Sequence, residues 1–110
     1  MNNFTTRPMQ TAAVALGNGT PIDLTDAGGA YAVLGIQITG INGDTITFEA
    51  TIDGTNWVSI LATPLLTGTA AVTATANGIY RIDCAGLLKV RARISTYGSG
   101  SVTVWGLASS

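Results

Sequence analysis

Few side chains in this sequence of 110 residues could carry out chemistry. It contains no histidine and a single cysteine, Cys84. Without histidine, Ser-His-Asp and Cys-His nucleophilic catalysis and imidazole metal ligation are excluded. One cysteine forms neither a thiolate zinc site nor an internal disulfide. Cys84 follows Tyr80 and Ile82 on one face of an expected strand, which favours a buried, unreactive thiol.

Carboxylate pairs are the remaining route to catalysis. Glu49 and Asp83 could meet across strands as a general acid and base. Both are expected on threonine-rich outer faces near cationic side chains, where a surface ion pair is the more ordinary role. The segment 53–56, Asp-Gly-Thr-Asn, resembles part of a calcium loop but lacks further carboxylates, and a hairpin turn explains it. The sequence therefore predicts a protein that is not an enzyme and needs no cofactor or metal.

Strands must position these residues, because hydrophobicity alternates with a period of two. From Thr45 to Ile52, polar and apolar residues strictly alternate, and side chains of a strand point to opposite faces in turn. Segment 57–61 reads as the returning strand of a hairpin, and similar alternation recurs over 79–84, 87–95 and 101–107. The shared inward positions predict a core of Ile46, Phe48, Ile52, Val90, Ile94, Val102 and Val104.

The pattern as a whole predicts an all-β fold. About eight strands joined by short glycine-rich turns, with no convincing helix, are typical of a single antiparallel β-sandwich or jelly roll, which we place at residues 12–110. Residues 1–11 show no periodicity and contain Arg7-Pro8, so they are expected to form an extended N-terminal arm. Phe4, Arg7 and Met9 of this arm are candidate contacts with a partner.

The composition suggests that other protein covers part of the surface. Charged residues make up 10 % of the chain, against about 25 % in typical soluble proteins. We therefore expect a homo-oligomer, with a trimer favoured; the alternative is a threonine-rich soluble sandwich. The net charge of −1 is too small to indicate nucleic acid or an anionic membrane as partner, and no uncharged stretch reads as a membrane span.

Two groups of residues on the expected outer faces are candidate binding residues. The first is cationic and comprises Arg81, Lys89, Arg91 and Arg93, which either pair with Glu49 and Asp83 on adjacent strands or contact another protein. The second is aromatic and comprises Trp57, Tyr97 and Trp105, which could pack in an interface or stack on sugar rings. Trp105 falls on the outward parity of its strand, whereas Trp57 could also cap the core.

Several of these segments resemble small β-sandwich proteins of tailed bacteriophages and prophages. The resemblance lies in residues 45–60, 77–83, 85–93 and 99–104. It implies a virion protein, most specifically a capsid decoration (cement) protein that sits on the capsid surface, binds the major capsid protein and is often trimeric. Related modules occur in tails and baseplates, so a carbohydrate-binding module that stacks sugars on Trp57, Tyr97 or Trp105 is the alternative. The family has no catalytic residues.

Overall fold

The computed structural model describes residues 4–25 and 31–110, which form ten β-strands. Those residues contain no helix long and apolar enough to cross a membrane. The strands are Phe4–Ala13 (β1), Ile22–Asp23 (β2), Val33–Thr39 (β3), Thr45–Thr51 (β4), Val58–Ser59 (β5), Thr63–Pro64 (β6), Thr73–Ala74 (β7), Gly78–Asp83 (β8), Lys89–Thr96 (β9) and Val102–Ser109 (β10).

The strands form two antiparallel sheets that pack face to face. The first sheet has the order β1-β10-β3-β8-β6, and the second has the order β2-β9-β4-β5, with β7 also paired to β4. One lateral edge of the sandwich is therefore formed by β1 and β2, and the opposite edge by β6 with β5 and β7. The all-β antiparallel sandwich predicted from the alternation is confirmed.

The core lies between the two inner faces. Phe48 of the second sheet is fully buried, and its ring lies 5.7 Å from that of Tyr80 in the first sheet, at an interplanar angle of 47°. Six of the predicted core residues are buried, namely Ile46, Phe48, Val90, Ile94, Val102 and Val104. The prediction for Ile52 is wrong: its side chain is 73 % exposed. Since β4 ends at Thr51, the period-two rule no longer holds at the next residue.

The segment expected to be a separate arm is instead an edge strand. The described part of the predicted arm 1–11 lies within β1, Phe4–Ala13, which pairs with β10 along almost its whole length. The register shifts between Pro8 and Gln10 and again before Ala13, and these irregularities hide the period-two pattern in the sequence. Met9, proposed as an exposed anchor, is 1 % exposed. Its sulfur occupies the space left by Gly106, where an added Cβ would lie 2.8 Å from it.

Gln10 joins the two sheets at this edge. Its side-chain Nε2 donates hydrogen bonds to the carbonyl oxygens of Ala92, at 2.8 Å, and of Gly17, at 3.1 Å. The chain can fold back here because Gly19 adopts a φ of +67°, and a Cβ at that position would lie 2.1 Å from the Met9 carbonyl oxygen. The connection from β1 to β2 is thereby held against the side of the sandwich.

Replacing Met9 by alanine distinguishes a strand from an arm. Met9→Ala is expected to lower the free energy of unfolding by about 2–5 kcal/mol, because a buried side chain is removed and a cavity remains. The matched control is Phe4→Ala, since Phe4 is 65 % exposed on the same strand. Urea denaturation of both variants is the measurement. Equal and small losses would show that β1 does not contribute to the core.

Truncation of Phe48 measures the packing between the sheets. Phe48→Ala is expected to cost about 3–5 kcal/mol in unfolding free energy, because the ring is fully buried against the opposite sheet. Ile52→Ala, at an exposed position one residue beyond the end of the same strand, is expected to change stability by less than about 0.5 kcal/mol. Thermal or urea unfolding compares the two, and a loss below 1 kcal/mol for Phe48→Ala would contradict the sandwich core.

Candidate functional site

The outer face of the second sheet carries a compact ion-pair network. Glu49 of β4 stands opposite Arg91 of β9, and Thr47 stands opposite Arg93. The Glu49 Oε1 atom accepts hydrogen bonds from Arg91 Nε at 2.8 Å and from Arg93 Nε at 3.2 Å, and Arg91 Nη2 lies 2.8 Å from the same oxygen. The Glu49 side chain is 11 % exposed, because its two partners cover it.

These contacts favour the ionised form of the Glu49 carboxyl group. Burial alone would raise its pKa, but hydrogen bonds from Arg93 and Arg91 and the charges of both guanidinium groups outweigh it. The pKa of Glu49 therefore lies below its ordinary value of 4.5. The Arg91 guanidinium also lies over the ring of Trp57, 4.2 Å from its centroid, in a cation–π contact. One face of Trp57 is consequently occupied by protein.

The four cationic residues that were predicted as one group do not all lie on the same face. Arg91 and Arg93 find their predicted partner in Glu49, whereas Asp83 lies on β8 in the other sheet and cannot serve them. Arg81 belongs to β8 as well, so the cationic group is divided between two faces. Lys89 stands opposite Asp23 in the ladder. The pKa of Asp23 is lowered, first by hydrogen bonds from Thr25 and to a smaller extent by the Lys89 charge.

The outer face of the first sheet is apolar. Ile79, Trp105 and Leu107 are 45 %, 42 % and 44 % exposed, and Val33 is 36 % exposed. The ladders place Trp105 beside Gln37, which in turn stands opposite Ile79. Leu107 is paired across Gly35 with Arg81, and at the end of the face Val33 pairs with Asp83. A surface of large apolar side chains results, with both charges toward the β8 side.

Gly35 leaves a shallow hollow in this face. The hollow measures about 510 Å³ and is lined by Ile79, Trp105 and Leu107 around Gly35, with Thr6 and Gln37 as its polar side chains. Gly35 has no positive φ, and an added Cβ would meet its nearest neighbour, the Leu107 carbonyl oxygen, at an ordinary 3.8 Å. Neither backbone strain nor crowding requires a glycine at position 35. The consequence of the glycine is on the outer surface, where the missing side chain leaves room for the hollow.

The structure distributes the other candidate residues over different places. Phe4 lies at the end of the apolar face, since it pairs with Ser109 on β10, and it is 65 % exposed. Arg7 pairs with Gly106 on the same strand. Tyr97 lies at the opposite end of β10, where its hydroxyl donates to the Gly100 carbonyl oxygen at 2.7 Å. Trp57, Tyr97 and Trp105 therefore do not form one aromatic site.

Outward parity in the sequence identified Trp105 as a candidate binding residue, whereas Val33, Gly35, Ile79 and Leu107 of the same apolar face were not identified. Two features of the sequence could have indicated residues of this face. Leu107 shares the outward parity of Trp105, and β3 is apolar almost without interruption, which is typical of a strand covered on both faces.

The Cys84 thiol and the Asp53 carboxylate, which were considered for chemistry, lie in structural surroundings. Cys84 is buried, and burial raises the pKa of its thiol to about 11, which disfavours the thiolate near neutral pH. Asp53 accepts hydrogen bonds from the backbone N–H groups of Asn56 and Thr55 and from the Thr51 hydroxyl, which hold its pKa well below its usual range and shape the hairpin turn. Within the described residues, no three His, Cys, Asp or Glu side chains are grouped to hold a metal.

Fold and surface together define an antiparallel two-sheet sandwich with one charged and one apolar outer face. Two solved proteins with this fold come from prophages. YomS, derived from the SPBc2 prophage, matches 100 % of this chain and 96 % of its own with a TM-score of 0.89 at 22 % identity. The PBSX exported protein XepA matches 99 % of this chain with a TM-score of 0.91 at 16 % identity, and the match spans 38 % of XepA. No model of a known protein family and no curated protein matches this sequence.

Glu49→Gln tests the ion-pair network. At pH 7 the change is expected to cost about 1–3 kcal/mol of unfolding free energy, because two charge-assisted hydrogen bonds are weakened and the arginines lose their shared anion. Because the pKa of Glu49 is lower in the folded than in the unfolded state, ionised Glu49 stabilises the fold at pH values above its unfolded pKa of 4.5. This stabilisation is lost as the pH falls through the folded-state pKa. The stability difference between wild type and variant should therefore narrow below about pH 4 in urea titrations. A difference independent of pH would contradict this assignment.

Proposed function

We propose that this chain is a structural protein of a phage particle and that it attaches to other protein through the outer face of the first sheet. Its most specific form is a capsid decoration protein bound to the major capsid protein on the capsid surface. One observation carries the proposal: the Trp105–Leu107–Ile79 surface is apolar and poor in charge, although it is the outside of a sheet. Exposed apolar surfaces of this kind mark interaction sites.

The chemistry of the face suits a protein partner. Trp105 at its centre has the character of an interface anchor, because a large rigid ring loses little entropy on binding. A partner side chain of aliphatic size would fill the hollow above Gly35, as shape-complementary interface cores require. Arg81 and Asp83, at the β8 side, would then fix the orientation of the partner through rim charges rather than supply most of the affinity.

The outer face of the second sheet is the weaker candidate for attachment. Arg91 and Arg93 already share Glu49, and recruiting them to a partner would require breaking those contacts. Lys89 and the exposed part of Arg93 remain as candidate contacts at the margin of an interface.

The phage setting rests on the two prophage-derived proteins of the same fold. XepA is described as an exported protein, so release into the medium is the main alternative to incorporation into particles. A second alternative is carbohydrate binding at Trp105, where Thr6 and Gln37 could hydrogen-bond a sugar ring stacked on the indole. Trp57 is less suited to stacking because Arg91 covers one of its faces.

Co-sedimentation with purified capsid shells of the encoding phage tests the proposal. The wild-type chain is expected to bind shells, and Leu107→Glu is expected to weaken binding at least tenfold by burying a charge in the apolar face. Ile52→Glu is the matched control, because it places the same charge on another exposed aliphatic side chain outside that face. Tail fractions, culture medium and a glycan array are examined in parallel. Binding to tails, recovery only from the medium, or sugar binding lost in Trp105→Ala would each contradict capsid decoration.

A further inference from the structure

We infer that copies of this chain associate side by side, with one lateral edge of the sandwich packed against the opposite lateral edge of the next copy. We define the first edge by Val14, Leu16 and Tyr97, beside β1 and β2. The second edge is defined by Leu61, Leu66 and Val72, around β6 and β7. Both edges are distinct from the apolar outer face of the first sheet, so the inference does not depend on the proposed function.

The first edge carries an apolar recess with no charged side chain in its lining. No charged residue occurs from Pro8 to Ile22. Val14 and Leu16 are 65 % and 63 % exposed, and they line a recess together with Tyr97. The connection that carries them is fixed, because Gly17 and Ile94 exchange backbone hydrogen bonds of 3.3 Å and 2.8 Å. These side chains are therefore held outward by a hydrogen-bonded backbone.

The second edge has the same character on the other side of the molecule. No charged residue occurs from Gly54 to Tyr80. Leu66 is 96 % exposed, and Leu61 and Val72 are exposed by 61 % and 39 %. Backbone hydrogen bonds hold this region in place: Ala62 and Ala71 are joined by two, of 2.9 Å and 3.0 Å, and Gly68 N–H donates to the Pro64 carbonyl oxygen at 2.8 Å. Leu66 thus projects from an ordered turn.

A second copy of the chain is the occupant that this arrangement favours. Attachment to one foreign protein needs one surface, whereas two uncharged apolar edges on opposite sides allow each copy to contact a neighbour on either side, which is a heterologous contact. The side chains that define the two edges carry no charge that would have to be desolvated. With Cα extents of 39 × 30 × 21 Å, the smallest side of the box that encloses the Cα atoms measures roughly 600 Å², so a whole side of the molecule has room for a contact approaching the roughly 800 Å² per partner of stable interfaces.

The contact is between side chains and is not a continued sheet. Pro8 on β1 and Pro64 on β6 each remove a backbone donor from an edge strand. Strands β2, β5, β6 and β7 are two residues long, which is too short to act as templates for another strand. The neighbouring copies are therefore expected to meet through Leu16 and Val14 on one side and Leu66 and its neighbours on the other.

Two single variants and their mixture test this geometry. Analytical ultracentrifugation of the wild type at tens of micromolar is expected to show a species larger than the 11.2 kDa chain. Leu16→Glu spoils only the first edge and Leu66→Glu only the second, so each alone should dissociate at least tenfold more readily. Because each variant keeps the edge that the other has lost, an equimolar mixture should form a one-to-one dimer that does not grow. This recovery on mixing is specific to a heterologous contact.

Controls separate this inference from unfolding and from the proposed function. Both positions are exposed, so circular dichroism of both variants should match the wild type. Leu107→Glu, on the apolar outer face, should retain self-association even if it loses binding to shells. A monomeric wild type, self-association unchanged in both edge variants, or a mixture that stays monomeric would overturn the inference. A loss of assembly in Leu107→Glu would do so too, since it would place the contact on the sheet face.

Discussion

The packing of the two inner faces is the constraint from which the other features of this protein follow. Phe48 from β4 meets Tyr80 from β8 across the middle of the sandwich, and aliphatic side chains from both sheets surround them. A shift of one residue in the register of any of these strands would turn its core residues outward, so burial fixes the register throughout. Because only alternate residues are needed for the core, the outward residues are free to differ between the sheets. This freedom allows one outer face to be charged and the other to be apolar.

Regular strands were predictable from the sequence and irregular ones were not. Strands β4, β9 and β10 keep strict alternation, so six of their inward residues, among them Phe48 and Val104, were identified correctly. Ile52 was misplaced because it lies one residue beyond the end of β4. The register shift between Pro8 and Gln10 leaves the consecutive residues Met9 and Gln10 both buried, so no period-two pattern identifies Met9 as a core residue. Its burial depends on Gly106, a partner about a hundred residues away in sequence.

The candidate surfaces were predictable to the extent that they depend on parity within one strand. Outward parity identified Trp105 and placed Lys89, Arg91 and Arg93 on one face, and pairing with Glu49 was among the expected alternatives. Which strands are neighbours could not be read from the sequence. Asp83 and Arg81 were therefore grouped with residues of the wrong sheet, and the hollow above Gly35 was missed because residues of β3, β8 and β10 form it together.

The placement of the few charges explains why so much of the surface suits protein contacts. Charged side chains cost most when they are desolvated, and here the stretches 8–22 and 54–80 contain none. On the outer face of the second sheet, Arg91 and Arg93 share the carboxylate of Glu49, which leaves little free charge. A net charge of −1 gives weak repulsion between copies. Because this electrostatic repulsion is small, Leu16, Leu66 and Leu107 can be buried against other protein at little cost. Burying them gains hydrophobic free energy that is not gained while they are exposed in the isolated chain.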